Sequence, residues 1–261
     1  DQTGTLIQEA YEQLLGPRTK LVSIVHVSNS LGTVNPIKSM TQRAKEMDIP
    51  VIIDGAQAAA HVPIDVQEIG CDFYAASGHK MFGPTGIGFL YGRSSLLEGM
   101  PPYQGGGEMI RSVSFTGTSY ADPPAKFEAG TPHIAGAVGL GAAIEYLQAL
   151  SWDSVLKHEE ELLQYALARL SEVAGLTIIG TAEHRAAAIS FVLDGAHAHD
   201  VGTIVDQDGI AIRTGHHCTQ PVMEFFGVPA TARASFAFYN TLGEVDLLVD
   251  ALHRVRKVFG I

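Results

Sequence analysis

Short apolar runs separated by polar or glycine-rich segments dominate the first half of the chain. Four of these runs predict β-strands, at residues 21–28, 51–54, 72–77 and 86–92. Polar residues do not alternate with apolar ones inside the runs, so we expect the sheet to be covered on both faces.

The segment between the first two runs has the pattern of an amphipathic helix. Asn35 can cap this helix and Pro36 suits its first position. Its apolar face would carry Ile37, Met40, Ala44 and Met47. A strand, a helix and a second strand in this order predict a parallel sheet with helices packed on it, which is an α/β fold.

The hydrophobic pattern changes at about Ser151. Apolar residues recur at helical spacing over 154–173, strand-like runs follow at 187–193 and 209–215, and a last helix begins with a capping-box spacing at 241–244. We therefore expect two domains. Residues 1–150 would hold part of a mainly parallel sheet sandwiched by helices, and residues 151–261 would form a smaller C-terminal α+β domain.

Composition narrows the class of protein. The 261 residues are 46% hydrophobic and 17% charged, with a formal net charge of −11, which is typical of a globular protein and disfavours nucleic acid and anionic membranes as partners. No apolar stretch reaches the roughly 20 residues that span a bilayer. Cys71 and Cys218 lie far apart and outside any Cys-x-x-Cys motif, which favours a reducing, cytoplasmic setting.

Polar side chains lie at the ends of three predicted strands, at 26–29, 54–57 and 77–80. In a doubly wound sheet, ligands bind beyond the carboxyl ends of the strands. Asp54 ends an apolar strand, where a carboxylate is costly to bury unless a cation meets it, although an aspartate there can equally cap the loop. Lys80 follows the next strand, and an amine in a low-dielectric site near other cations can lose its proton and act as a nucleophile.

A carboxylate and an amine on neighbouring strand ends suit pyridoxal phosphate, whose ring nitrogen binds an anion and whose aldehyde bonds an amine. Ser77 and His79 can donate to its phosphate, and the glycines of GPTGIG (83–88) let the backbone approach a ligand. These residues favour this cofactor without excluding that Lys80 is an ordinary solvated lysine.

Five segments resemble the group II cysteine desulfurases of the Suf type, which are fold-type I pyridoxal phosphate enzymes related to class V aminotransferases. The segments are VIIDGAQAAAH (51–61), DFYAASGHKMFGPTGIGFLY (72–91), GGGEMI (105–110), FEAGTP (127–132) and RTGHHCTQPVMEFFGVPATARASFAFYNT (213–241). The resemblance implies a homodimeric, cytoplasmic enzyme that converts L-cysteine to L-alanine. It also implies an enzyme persulfide whose sulfur serves iron–sulfur cluster assembly.

The resemblance also assigns roles. Lys80 is similar to the lysine that forms the Schiff base with the cofactor and then moves protons, and Asp54 to the partner of the pyridine nitrogen. The other implied cofactor contacts are Gln57 at the phenolic oxygen, Ser77 and His79 at the phosphate, and Thr131 at the phosphate of the other subunit. The implied substrate contacts are Arg233 at the carboxylate, with Asn29 and Arg213.

Cys218 resembles the cysteine that attacks the substrate sulfur. His216, His217 and Arg213 lie close to it in sequence and would favour the thiolate, and GHHCTQP is rich in loop-forming residues. Cys71 is expected to be a buried core residue. The spacing of 15 positions to Arg233 (233 − 218) matches the short-loop group II pattern, so we expect a less exposed persulfide and a sulfur-acceptor protein.

Three alternatives remain open. Selenocysteine lyase shares these features, whereas the cysteine loop argues against kynureninases and epimerases of the same scaffold. A catalytically impaired scaffold that binds a sulfur-transfer partner is the second. A zinc protein is the third, with ligands among His197, His199, His216, His217 and Cys218; the adjacent His-His-Cys lacks the usual zinc spacing and leaves Lys80 and Asp54 unexplained, so no metal is expected.

The resembled family has a further N-terminal segment of about a third of its usual length, including the histidine that stacks on the cofactor ring. We therefore expect the chain to be N-terminally incomplete. By itself it would have an unpaired sheet edge, bind its cofactor weakly and show little activity.

Overall fold

The computed structural model describes residues 1–261. The strands are β1 (Val22–Val25), β2 (Val51–Asp54), β3 (Phe73–Ser77), β4 (Gly88–Gly92), β5 (Ile110–Ser114), β6 (Gly117–Tyr120), β7 (Leu176–Ile179), β8 (Ala188–Leu193), β9 (Arg213–Gly215) and β10 (Thr231–Ser235). The helices are α1 (Gln8–Leu14), α2 (Ile37–Lys45), α3 (Val66–Ile69), α4 (Ser94–Gly99), α5 (Ile134–Ala149), α6 (Trp152–Ser171), α7 (Ala198–Asp206), α8 (Gln220–Phe226) and α9 (Leu242–Phe259).

The chain divides into two compact units. The lysine unit, named for Lys80, comprises residues 14–25 and 37–150, and the cysteine unit, named for Cys218, comprises residues 1–13, 26–36 and 151–261. The cysteine unit thus contains two segments that the sequence analysis placed in the first domain. Strand-like pairing explains this, because Thr33 bridges to Arg185 and the Thr181 amide donates to the carbonyl of Thr3.

The lysine unit is built on a four-stranded sheet in the order β1-β2-β3-β4. β1, β2 and β3 are parallel, as predicted, with α2 burying Ile37, Met40 and Ala44. Met47 lies beyond the end of α2 and is exposed, contrary to its predicted place on the buried face. β4 is antiparallel to β3 because the connection between them is shorter than the dozen or more residues that a parallel crossover needs.

The expectation that both faces of all four strands are covered is wrong for β4. Its side chains are largely exposed, with Phe89 and Leu90 at 41% and 58%. As the edge strand, β4 pairs on one side only, so an apolar run alone does not establish that a strand is central. The sequence analysis also missed α5, since apolar residues surround this helix and leave no amphipathic signal.

The cysteine unit is an antiparallel sheet in the order β7-β8-β10-β9, packed against helices. α6 and α9 pack together on it, and Leu162, Phe191 and Leu252 are fully buried in their shared core. Each such side chain contributes about 1.5–3 kcal/mol when buried. The predicted α+β architecture is confirmed, including the reciprocal capping box of Thr241 and Glu244 at the start of α9.

No single helix combines the length and the apolarity needed to cross a membrane; the consecutive helices α5 and α6 meet that test only when they are taken together.

Candidate active site

Lys80 ends a one-turn 3-10 helix, Gly78–Lys80, that follows β3 directly. Asp54 ends β2 and pairs with Ala75 of β3, two residues before the end of that strand. Because β2 and β3 are parallel, the carboxylate and the amine leave the same edge of the sheet. Both side chains are exposed there. The lysine unit therefore places at one edge of the sheet the two groups that the sequence proposed for pyridoxal phosphate.

Ser77 and His79 lie next to each other at this edge, with 2.9 Å between the Ser77 hydroxyl and Nδ1 of His79. Asp54 uses Oδ1 to accept the amide hydrogen of Ala56 at 2.9 Å. One carboxylate oxygen of Asp54 therefore caps the loop, as one of the two interpretations of this residue expected. Gln57 follows, half-buried, in the same turn.

Tyr74 supports the backbone after Asp54, a role that sequence analysis missed. A Cβ added at Gly55 would lie 2.0 Å from the Tyr74 ring, so only glycine fits over this side chain. Tyr74 is fully buried, and its burial, with smaller effects from Cys71 and Asp54, raises its pKa far above the usual value. The phenol is therefore neutral and supports the backbone by packing. Gly55, directly after the aspartate at the end of the strand, was the sequence signal that could have indicated this close packing.

Two further glycines fix the loop around Lys80. A Cβ at Gly88 would come within 2.4 Å of the Ala76 carbonyl oxygen, and one at Gly78 within 2.8 Å of that of Ile87. The Gly78 amide also donates to the Ile87 carbonyl at 2.9 Å. Backbone therefore packs directly on backbone here, which holds the lysine on a defined loop.

These residues fit pyridoxal phosphate. The donor set of the lysine unit supplies a carboxylate for the ring nitrogen, an amine for the aldehyde, and a hydroxyl and an imidazole for the phosphate. Thr131 is exposed in the same unit, after Gly130, whose φ of 83° is left-handed. The role of Thr131 at the phosphate of another subunit stays a prediction.

Cys218 lies exposed in a tight turn of the cysteine unit, whereas Cys71 is buried, as expected. A surface pocket of about 490 Å³ includes Cys218 and Arg213 in its lining. Nη2 of Arg213 lies 3.5 Å from the sulfur and donates to it. The structure thus gives Cys218 the accessibility and the cationic neighbour that a nucleophilic cysteine needs.

His217, which follows His216 in the same turn, is only 2% exposed. Burial, reinforced by the charge of Arg233, lowers its pKa to about 4, so the imidazole is neutral at pH 7. The expectation that His217 adds positive charge beside Cys218 is therefore wrong. A histidine next to the cysteine in sequence is turned inward because the two side chains leave the tight turn in different directions.

Arg233 and Arg213 are paired across the antiparallel strands β10 and β9. Burial, together with the charge of Arg213, lowers the pKa of Arg233, and the buried Nε of Arg233 has no hydrogen-bond partner. Nη1 of Arg233 donates to the backbone carbonyl of Asn29, whose side chain in turn donates to the carbonyl of His217. Two adjacent guanidinium groups form a site that suits a carboxylate.

The structure gives no support to the zinc alternative. No group of three or more His, Cys, Asp or Glu side chains is close enough to hold a metal ion. Nδ1 of His197 instead accepts the His199 amide hydrogen and caps α7. His197 is therefore a helix-capping residue and not a metal ligand.

The buried histidines predict acid sensitivity of the cysteine unit. Burial lowers the pKa of both His26 and His217 to about 4, against an ordinary value of 6.5. Between these values the unfolded chain binds more protons than the folded chain, so stability is greatest above pH 6.5 and falls as the pH drops towards 4. Each pKa unit corresponds to about 1.4 kcal/mol. We expect urea unfolding at pH 7, 6, 5 and 4.5 to show a progressive loss of unfolding free energy.

A His26→Gln variant provides the control, because it removes one of the two titrations. Its unfolding free energy is expected to change less steeply between pH 6.5 and 4.5 than that of the unaltered protein. An unfolding free energy that stays constant over this range in the unaltered protein would show that the two imidazoles are not held neutral by the fold.

The fold is that of the fold-type I pyridoxal phosphate enzymes, and the chain belongs to the class-V aminotransferase family, whose model matches residues 1–248. The chain is 54% identical over 259 residues to a probable cysteine desulfurase of Streptomyces coelicolor and 53% identical over 258 residues to a cysteine desulfurase of Dickeya dadantii. Each match covers 98% of this chain and 62% of the relative. The chain therefore spans less than two thirds of the length of these relatives.

Solved structures give the same result. The cysteine desulfurase CsdA of Escherichia coli, in an S-sulfonic acid form, superposes with a TM-score of 0.92 at 39% identity, over 96% of this chain and 62% of that one. The apo cysteine desulfurase of Thermococcus onnurineus gives 0.94 at 36% identity, over 99% and 65%. The predicted family, fold class and cofactor are confirmed at the level of the family.

Proposed function

We propose that the protein to which this chain belongs is a pyridoxal phosphate-dependent cysteine desulfurase, which converts L-cysteine to L-alanine and leaves the sulfur on Cys218 as a persulfide. The observation that carries the proposal is the exposed Cys218, whose sulfur accepts a hydrogen bond from Arg213. Arg213 also pairs across the strands with Arg233, and these two cations suit the carboxylate of a substrate. The similarity to the cysteine desulfurases described above supports it.

Different residues would bind the cofactor and bind the substrate. The amine of Lys80 would hold the cofactor by its aldehyde, and as a free amine it would move a proton at Cα and Cβ of the substrate. Asp54 would keep the ring nitrogen of the cofactor protonated, and the cofactor would supply an acceptor for the electrons released at Cα. Arg233 binds the substrate carboxylate, assisted by Arg213 and Asn29.

The sulfur step balances without an external oxidant. The Cys218 thiolate attacks the substrate sulfur and forms an S–S bond, while the Cβ–S bond of the substrate breaks. The electron pair of that bond stays with the carbon skeleton, which takes up a proton and leaves as alanine. The sum is L-cysteine plus Cys218 thiol giving L-alanine plus Cys218 persulfide.

Further features belong to the same proposal. The enzyme acts as a homodimer in the cytoplasm, and its sulfur is destined for iron–sulfur clusters. Because the cysteine loop is short, an acceptor protein takes the sulfur. The net charge of −11 supports the exclusion of nucleic acid and anionic membrane as partners.

Peptide mass mapping of Cys218 tests the proposal. The intact protein, loaded with pyridoxal phosphate, is incubated with L-cysteine in the absence of reductant, and alanine is quantified in the same sample. We expect one added sulfur on the Cys218 peptide, none on the Cys71 peptide, and alanine in the supernatant. An unmodified Cys218 with no alanine would overturn the proposal in favour of a selenium-directed lyase or a non-catalytic scaffold.

A further inference from the structure

His217 and Thr231 form a buried hydrogen-bonded pair beneath the turn that carries Cys218. Nε2 of His217 lies 2.9 Å from the Thr231 hydroxyl and 3.2 Å from the Thr231 carbonyl oxygen. Thr231 has no exposed surface, and its hydroxyl lies 3.9 Å from the sulfur of Met223. The Thr231 hydroxyl can donate to Nε2 or accept from it, according to the tautomer of the ring, whereas the Thr231 carbonyl oxygen can only accept.

The turn above this pair has an unusual backbone. The amide and the hydroxyl of Thr219 both donate to the His216 carbonyl at 2.9 Å, which closes the turn. The two central residues, His217 and Cys218, have φ values of 53° and 62°. These are the φ values of a type I′ turn, whose central positions favour glycine, asparagine or aspartate.

For other residues, the left-handed conformation has a free-energy cost of about 1–2 kcal/mol per residue. A turn with histidine and cysteine at its centre therefore needs contacts that hold it. The buried imidazole is one such contact, and the hydrogen bond from Asn29 to the His217 carbonyl is the second. Cys218 itself is exposed, so the buried His217 has to supply the anchorage.

The strand that holds the imidazole also carries the predicted substrate arginine. Thr231 and Arg233 are two residues apart on β10 and so lie on the same face of that strand. Arg233 donates a hydrogen bond to the Asn29 carbonyl, and the Asn29 side chain donates one to the His217 carbonyl. Hydrogen bonds therefore connect Arg233, Asn29, His217 and Thr231 in that order.

We propose that His217, anchored by Thr231, is a positioning residue that sets the Cys218 sulfur at a fixed place relative to the carboxylate site at Arg233. The inference rests on the proposed desulfurase function. His217 itself does not contact the substrate; it acts through Cys218 by keeping the turn closed in its left-handed form.

The test compares Thr231→Val with Thr231→Ser in the intact, cofactor-loaded protein. Valine removes the hydroxyl and keeps the shape, whereas serine keeps the hydroxyl. We expect Thr231→Val to lower kcat for alanine formation at least tenfold with KM for L-cysteine within twofold. In the same variant, hydrogen exchange at the Thr219 amide, which closes the turn, is expected to accelerate at least tenfold. Thr231→Ser is expected to retain the original values of all three.

Thr41→Val is the matched control, because it removes another buried threonine hydroxyl, one that has no hydrogen-bond partner and lies in the lysine unit. It should change none of the three quantities. His217→Asn is a second test, since asparagine tolerates the left-handed turn but is too short to reach Thr231. It should behave like Thr231→Val.

Three results would overturn the positioning role. They are equal values for Thr231→Val and Thr231→Ser, a rise in KM with unchanged kcat, and faster exchange throughout the cysteine unit rather than at the turn. If the unaltered protein forms no alanine, the proposed function fails, and exchange at the Thr219 amide alone decides whether His217 and Thr231 hold the turn.

Discussion

Replacing Lys80 with alanine is expected to abolish the covalent attachment of pyridoxal phosphate. The visible absorbance of the bound cofactor should disappear, and no cofactor should remain on the Lys80 peptide after borohydride reduction. Alanine formation from L-cysteine should fall by roughly 10²–10⁴-fold or more, because a positioned proton-transfer group contributes about that factor and Lys80 also bonds the aldehyde.

Lys80→Arg separates charge from amine chemistry. Arginine keeps a positive charge on the loop after β3, but its guanidinium stays protonated and cannot form the bond to the aldehyde. We expect this variant to be as inactive as Lys80→Ala. Lys38→Ala is the matched control, because Lys38 lies in the same unit and forms an exposed ion pair with Glu68 that contributes little. Retention of both cofactor attachment and turnover in Lys80→Ala would refute the assignment.

Cys218→Ala is expected to lose sulfur transfer while it keeps the cofactor. The exposed sulfur lies in the cysteine unit, and Lys80, Asp54, Ser77 and His79 all belong to the lysine unit, so the absorbance of the bound cofactor should be unchanged. Alanine formation should fall by at least about 100-fold, because the nucleophile that splits the reaction into two easier steps is gone. No added sulfur should appear anywhere on the chain.

Cys71→Ala is the control for this experiment. Cys71 is buried and far from the turn in sequence, so its replacement should cost some stability, typically about 1 kcal/mol for a single substitution, without reducing alanine formation. A Cys218→Ala variant that forms alanine at the original rate would mean that the substrate sulfur leaves without attack by this cysteine. Turnover of selenocysteine by the same variant would then favour the selenium-directed alternative.

The lysine site was largely predictable from sequence. Asp54 ends one apolar run and Lys80 lies three positions after the end of another. Parallel strands place their carboxyl ends at one edge, so a local pattern was enough to place both residues at that edge. The edge position of β4 was not predictable in this way. An apolar run reports the character of a segment and not the number of strands that pair with it.

The cysteine site depended more on the tertiary structure. Sequence adjacency grouped His216, His217 and Arg213 around Cys218 as charges, and only the folded turn showed that His217 points inward to Thr231. The register of β9 and β10 then set Arg213 opposite Arg233. Thr231 gave no signal of its own, since one threonine in an apolar strand looks like an ordinary β-branched residue.

The sequence by itself predicted the α/β class of the fold from the period of its apolar residues, and it placed Asp54 and Lys80 at strand ends. These are local properties that are read within a few positions. The family and the candidate role of Cys218 came from the resemblance of five segments to the cysteine desulfurases. The tertiary structure decided how 1–13 and 26–36 join the cysteine unit, which arginines face each other, and what anchors Cys218. Those features depend on strand register and on hydrogen bonds between residues far apart in the chain, such as the 188 positions between Asn29 and His217, which no local pattern encodes.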